Sequence, residues 1–243
     1  MDVKEFSQHV NYRPINEVKH LFHGSKSGIR GRIVPDFRMA RHHVDFGRGF
    51  YLGDNATQAK TLICGRDDYT PVFYKADIDL RGLRCVRISD TPWALFVAYN
   101  RGLLDEMRGT MLYQQISEIG DKQDVIIGPI ADDRTVVVLN EYFDGNITDT
   151  TLAACMRGLN LGTQYVAKTQ AACDHIEITD TYHLQPNEIK AMRIKGTQSR
   201  TDGTELVKPI KARYRRLPGT YFDELLEKER EQLVTDHRTT PNL

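Results

Sequence analysis

The chain has 243 residues, a formal net charge of zero, 27% charged residues and 40% hydrophobic residues. That length supports one ordinary domain with additions, or one large domain. The balanced charge excludes a globally basic nucleic-acid binder and an acidic disordered chain. No apolar run reaches the ~18 residues of a membrane-spanning helix, and Met-Asp-Val-Lys-Glu-Phe-Ser at the start lacks an apolar signal core, so a cytoplasmic protein is expected.

Residues 1–18, with Asn11 and Pro14, read as a polar leader segment. Lys19 to His23 reads as a strand, and residues 24–48, rich in Gly, Arg and His, as a long loop of the kind that carries function. Gly49 to Leu52 is a second strand. Residues 54–64 set Ala56, Ala59, Leu62 and Ile63 at helical spacing, with Asp54 or Asn55 as cap. Pro71 to Asp79 and Cys85 to Ile88 read as strands rich in aromatic and β-branched residues. Thr91-Pro92-Trp93 opens a helix whose apolar side chains run to Leu104.

Asp124 to Gly128 is a strand ended by Gly128-Pro129. Residues 130–134 are a turn, and Thr135 to Leu139 a further strand. Thr148 or Asp149 caps a helix to about Leu159. Thr163 to Ala167 reads as a strand, Thr169 to Asp174 as a short helix and His175 to Thr179 as a strand. From Asn187 to Arg216 nine Lys or Arg face three Asp or Glu, and Gly196 to Gly203 reads as polar and mobile. Residues 221–234 form a charged helix with a narrow apolar stripe, before a frayed end.

Strands outnumber helices and do not alternate with them, which predicts an α+β fold on a mostly antiparallel sheet and not a doubly wound parallel one. No G-x-G-x-x-G opens a helix and no P-loop is present, so a bound dinucleotide would not sit in the Rossmann manner. Cys64, Cys85, Cys155 and Cys173 match no zinc or C-x-x-C spacing and read as buried thiols. His42-His43 likewise lacks ligand spacing, so no metal is expected.

The stretch 41–59, Arg-His-His-Val-Asp-Phe-Gly-Arg-Gly-Phe-Tyr-Leu-Gly-Asp-Asn-Ala-Thr-Gln-Ala, is the most informative, together with Leu-Phe-His-Gly-Ser at 21–25. Strand, histidine, loop, strand, tyrosine, helix is an order suited to gripping a flat heteroaromatic ring and a sugar. Cleaving an N-glycosidic bond to nicotinamide needs no acid, because the leaving group is already a cationic pyridinium. It needs the ring held, the ribose fixed and an oxocarbenium ion stabilised. His23 would donate to a ribose hydroxyl, Gly24 would hold the carboxamide through its main chain, and Tyr51 would face the ring. Gln164, at the start of a later strand, is the candidate for stabilising the cation.

At these residues the chain resembles the ADP-ribosyltransferases of the diphtheria-toxin-like or poly(ADP-ribose)-polymerase-like H-Y-E class, in a bacterial branch long known as a domain of unknown function. The resemblance rests on His23-Gly24-Ser25, Pro35-Asp36, Arg41, Asp45-Phe46-Gly47-Arg48-Gly49-Phe50-Tyr51-Leu52 and Gln58-Ala59. It continues through Trp93, Asn100-Arg101, the Asp124 to Asp133 run, and Thr163 to Thr169 with Ala171-Ala172.

The resemblance implies a split, mostly antiparallel sheet flanked by helices over residues 19–180, and the composition shift after residue 180 reads 181–243 as a basic, partly helical extension. It implies NAD as the ADP-ribose donor, with His23, Tyr51 and Gln164 catalytic. His23, Gly24, Ser25, Arg41, Asp45, Phe50 and Tyr51 would contact the cofactor: Tyr51 by stacking on nicotinamide and Arg41 by reaching the pyrophosphate. Asp45 has an alternative role as a loop anchor. The class carries a glutamate where Gln164 stands. An amide accepts a hydrogen bond but is no base, so Glu118, Asp132, Asp133 and Glu141 are the candidates for activating a weak nucleophile.

The branch is associated with bacterial toxins and phage defence, which implies a macromolecular acceptor. The basic strip Lys208 to Arg216, with Tyr214 inside it, favours RNA or another nucleic acid over protein. Helix 221–234 is a docking face for an antitoxin, or packs on its own domain. The rival functions are an NAD glycohydrolase and a catalytically inactive nucleotide- or partner-binding module.

Overall fold

Eight strands pair edge to edge in the computed structural model, which describes residues 10–35, 44–65, 70–130, 133–159 and 162–239. They are β1 (Val10–Asn11), β2 (Val18–Ser25), β3 (Phe50–Gly53), β4 (Val72–Asp79), β5 (Cys85–Ile88), β6 (Val125–Pro129), β7 (Thr163–Ala167) and β8 (Ile176–His183). Their order is β1-β5-β6-β7-β3-β2-β4-β8. Every pairing is antiparallel except β5–β6. That one parallel pair needs a long crossover, and α2 (Asp90–Asn100) and α3 (Met111–Lys122) lie within it. The fold is α+β on a mostly antiparallel sheet, as the sequence predicts.

The other helices are α1 (Ala56–Ile63), α4 (Asp133–Phe143), α5 (Asp149–Leu159), α6 (Gln170–Asp174), α7 (Pro186–Tyr214) and α8 (Phe222–Thr239). Asn55 caps α1 by accepting from the Gln58 N–H, and Thr169 caps α6 by accepting from the Ala172 N–H. Three apolar clusters cover the sheet. The largest unites Val86, Ile126 and Val166 with Trp93, Ile116, Tyr142, Leu152, Val207 and Phe222. On the opposite face Leu21, Phe50, Leu52, Ala76, Ile127 and Tyr165 pack with Ala172 and Cys173 of α6. A third cluster joins Ala59 and Ile63 of α1 to Phe73, with Ile189 and Met192 of α7 against it.

Three local expectations are corrected, and one helix has no counterpart in the sequence reading. Thr135 to Leu139 is part of helix α4, not a strand: Val138, Leu139 and Tyr142 are buried at one helical stripe, and a five-residue apolar run does not distinguish the two periods. No element is read from the sequence at 111–122, where α3 stands with Leu112, Ile116 and Ile119 at helical spacing and Thr110 as its cap. The leader segment is not wholly outside the fold, because Val10 and Asn11 pair with Ile88 and Arg87. Gly196 to Gly203 lies inside α7, and Pro209 does too. Burial of Val207 in the largest cluster and the packing of Ile189 and Met192 offset those helix-weakening residues.

Candidate active site at the split of the sheet

The sheet is nearly divided between β2 and β3. Among the described residues these strands share one Cα pair, Phe22 with Gly53, whereas β2 and β4 run in register from Val18–Asp79 to Ser25–Val72. Past Phe22, therefore, the main chain of His23, Gly24 and Ser25 is laddered to β4 alone. A ladder that stops leaves main-chain polar groups without sheet partners. One of these is the Tyr51 carbonyl, and the His23 side chain supplies its hydrogen bond, Nδ1 to O at 2.7 Å.

That bond fixes the protonation pattern of the imidazole. A carbonyl oxygen only accepts, so Nδ1 carries the proton. Burial holds the His23 pKa below the ordinary histidine range, with the bond to Tyr51 opposing that shift in part. The ring is neutral near pH 7, and Nε2 is a bare acceptor. This changes the sequence-based reading, in which His23 donates to a ribose hydroxyl: here the hydroxyl would donate and Nε2 accept.

His23 stacks on Phe50, with centroids 4.3 Å apart and planes 23° apart, and Tyr74 flanks it at 6.0 Å. Phe50 belongs to the second apolar cluster, whereas the Tyr51 ring packs against the first. Successive strand residues point to opposite faces. The structure thus joins His23 to Tyr51 through the Tyr51 main chain, while the two rings lie on opposite faces of the sheet.

The half-buried Tyr51 phenol is fully engaged at its oxygen. It donates to the Gly47 carbonyl at 2.6 Å and accepts from the Phe46 N–H at 3.2 Å. Burial raises its pKa, so it stays protonated. The same turn is held from three other sides. Arg101 forms a 2.6 Å ion pair with Asp45, both side chains 20% exposed. Asn100 donates to the Asp45 carbonyl, and Lys168 donates to the Phe46 carbonyl at 2.6 Å. Gly47 takes φ +67°, and a Cβ there would lie 2.5 Å from the Asn100 side-chain oxygen, so only glycine fits. The Asp45 pKa is raised by burial, with Arg101 opposing, and burial pushes Lys168 down to about 8. The Asp45 carboxylate therefore anchors this turn.

Gly24 faces helix α1. A Cβ there would stand 2.6 Å from the Ala59 carbonyl oxygen and 2.8 Å from Ile63 Cγ2. Ser25 ends β2 opposite Val72. Gln164 is buried in β7, paired with Gly53 on one side and Gly128 on the other. Its amide nitrogen donates to the Pro129 carbonyl at 2.9 Å, which leaves the amide oxygen as the free end. Gln164 adjoins Gly53, the residue paired with Phe22, but its amide is held at Pro129, away from the imidazole.

Arg41, Asp36, His42, His43 and Asp132 lie outside the described residues. Of the other candidate acids, Glu118 pairs with Lys122 and Glu141 with Lys211. Sequence reasoning missed Tyr74 and Lys168 as supports of the site. Tyr74 sits opposite His23 in the β2–β4 register, a pairing that the sequence alone does not show.

A comparison with curated proteins gives no match. Residues 19–178 match a family model described as "Protein of unknown function (DUF3990)", and the chain belongs to that family.

Proposed function

We propose that this protein is an NAD-dependent ADP-ribosyltransferase working at the split between β2 and β3. The observation that supports the reading most is the bond from His23 Nδ1 to the Tyr51 carbonyl, which leaves a neutral, oriented Nε2 beside an unladdered stretch of main chain. In this reading a ribose O–H donates to His23 Nε2. The main chain at Gly24 holds the carboxamide, and the ligand threads the split so that Tyr51 meets it from the other face. The tethered phenol keeps that ring in place before the ligand arrives, a preorganisation that favours the transition state.

Gln164 acts through its amide oxygen, which accepts from a second ribose hydroxyl and adds electron density where the cation develops. The C1′–N bond breaks with its electron pair going to the pyridinium nitrogen, and nicotinamide leaves neutral. A nucleophile's lone pair then forms the new bond at C1′, and its proton passes to solvent. Because an amide is no base, the acceptor must itself be a competent nucleophile.

We infer a macromolecular acceptor, nucleic acid in preference to protein, and a role as an intracellular toxin or anti-phage effector. The test is incubation of the chain with NAD labelled at the adenylate phosphate and with cell extract, followed by ribonuclease or protease digestion. Label released by ribonuclease is the expected result. Free ADP-ribose formed at the full rate without acceptor would make the protein a glycohydrolase, and absence of nicotinamide release would leave a nucleotide-binding module.

A further inference from the structure

A cavity of about 420 Å³ lies between α5 and α7, lined by Ala154, Arg157, Pro209, Ile210, Arg213 and Tyr214. Its lining residues belong to α5 and α7, and none of them lies in β2 or β3. The lining combines small and apolar residues with one phenol ring, Tyr214, and two guanidinium groups, Arg157 and Arg213. The Arg213 guanidinium stands 5.8 Å from the Tyr214 ring centroid, so cation and aromatic face form one stacking platform.

The charge around the cavity is selective. Lys208 is neutralised by Glu205 and Lys211 by Glu141. Arg213, Arg215 and Arg216 have no acidic partner among the described residues. Arg157 touches Asp90 only at 3.4 Å and stays 64% exposed. Arg213, Arg215 and Arg216 are thus presented, Arg157 shares only a longer contact with Asp90, and a planar guanidinium fork matches phosphate geometry.

We propose that this cavity is a subsite for one nucleotide of a single-stranded nucleic acid, with the base against Tyr214 and the flanking phosphates on Arg157 and Arg213. A duplex keeps its bases inside the stack and offers none to the cavity. An aliphatic acidic peptide such as poly-glutamate brings charge but no flat ring for Tyr214. The subsite deepens the proposed transfer by placing its acceptor, and it rests on that reading only for its purpose, because binding itself requires no NAD.

The experiment measures anisotropy of fluorescein-labelled 12-residue single-stranded RNA and DNA with the full chain, without NAD. Duplex DNA and poly-glutamate are the competitors. Single strands are expected to bind, with neither competitor displacing them at equal charge concentration. Exposed Arg213 changed to Glu (R213E) should weaken binding about tenfold or more, and Arg213→Ala should reduce the salt slope by about one. Tyr214→Ala should weaken binding about fivefold or more with the slope unchanged. Equal displacement by poly-glutamate, equal affinity for duplex, or wild-type binding by R213E would overturn the subsite. If R213E still transfers ADP-ribose to RNA at the wild-type rate, the subsite fails and the transferase reading stands. Single-strand binding lost in R213E, in a chain that releases no nicotinamide, keeps the subsite and removes the transferase.

Discussion

His23 Nδ1 and the Tyr51 carbonyl are 2.7 Å apart, one residue past Phe22 and two residues before Gly53, the pair at which the β2–β3 ladder ends. One side chain thus repairs a broken ladder and is itself oriented by the repair. The same contact that joins the halves of the sheet sets which imidazole nitrogen is left as an acceptor.

The two jobs of His23 are separable. Asn places an amide N–H near the position of Nδ1 but has nothing at Nε2. His23→Asn should therefore keep the bond to Tyr51 and unfold within about 1 kcal/mol of wild type, while His23→Ala leaves a carbonyl unpaired and loses about 1–3 kcal/mol. On the proposed function both should also lose NAD affinity by about tenfold or more, since each loses the Nε2 acceptor. Thermal unfolding and titration calorimetry check this pair, and a stable His23→Asn with wild-type affinity would exclude Nε2 from the ligand.

Burial lowers the His23 pKa in the folded chain. The unfolded state then takes up its proton first as pH falls, so stability declines below about pH 6.5. His23→Asn should remove that part of the decline, as measured by denaturant unfolding at a series of pH values. On the proposed function, NAD binding should persist to a lower pH than an ordinary histidine would allow, because protonation at Nε2 abolishes the acceptor only at the depressed pKa.

Arg84 makes two side-chain hydrogen bonds to Asp124, and Thr169 makes a third. These bonds, with Arg84 the main cause, hold the Asp124 pKa down to about 2. The stabilisation is present above the unfolded-chain value near 3.9 and is lost as pH falls toward 2. Asp124→Asn should unfold more easily at pH 7 yet show a shallower loss between those limits. Equal pH dependence in variant and wild type would contradict the assignment.

Breaking the Asp45–Arg101 pair should loosen the turn that presents Tyr51. Arg101→Ala leaves a mostly buried carboxylate unpaired and should cost about 2–4 kcal/mol. The double variant Asp45→Ala/Arg101→Ala should cost less than the sum of the two single changes. Simple additivity in urea unfolding would show that the pair is not coupled.

Gly24→Ala forces a methyl group against the Ala59 carbonyl and Ile63. Helix α1 must shift off β2, at about 1–3 kcal/mol. A lowered denaturation midpoint checks it, and an unchanged midpoint would mean that α1 is not seated as described.

Much of the sheet was legible because its strands carry strong local signals. Cys85–Ile88 and Thr163–Ala167 were read with their observed limits, and Asn55 was one of the two caps weighed for α1. What escaped depended on tertiary contact. Val-Val-Val-Leu at 136–139 fits strand or helix until Val138, Leu139 and Tyr142 find one core. Gly196, Gly203 and Pro209 argue against a helix locally, and only packing overrides them. At the site, the order of His23 and Tyr51 along the chain was legible and so was their proximity. The opposite faces of their rings and the acceptor state of Nε2 were not, because both follow from where a ladder stops. The anchoring role of Asp45 stood as one of two readings, and its partner Arg101 lies 56 residues away.

The most direct test of the proposed chemistry is nicotinamide release from NAD by the purified full chain supplied with cell extract, wild type against His23→Asn. Wild type is expected to release nicotinamide in step with ADP-ribose transfer, and the equally stable variant to release at least about a hundredfold less. Equal release by the two proteins, or none by the folded wild type with any acceptor, would contradict an N-glycosidic cleavage built on His23.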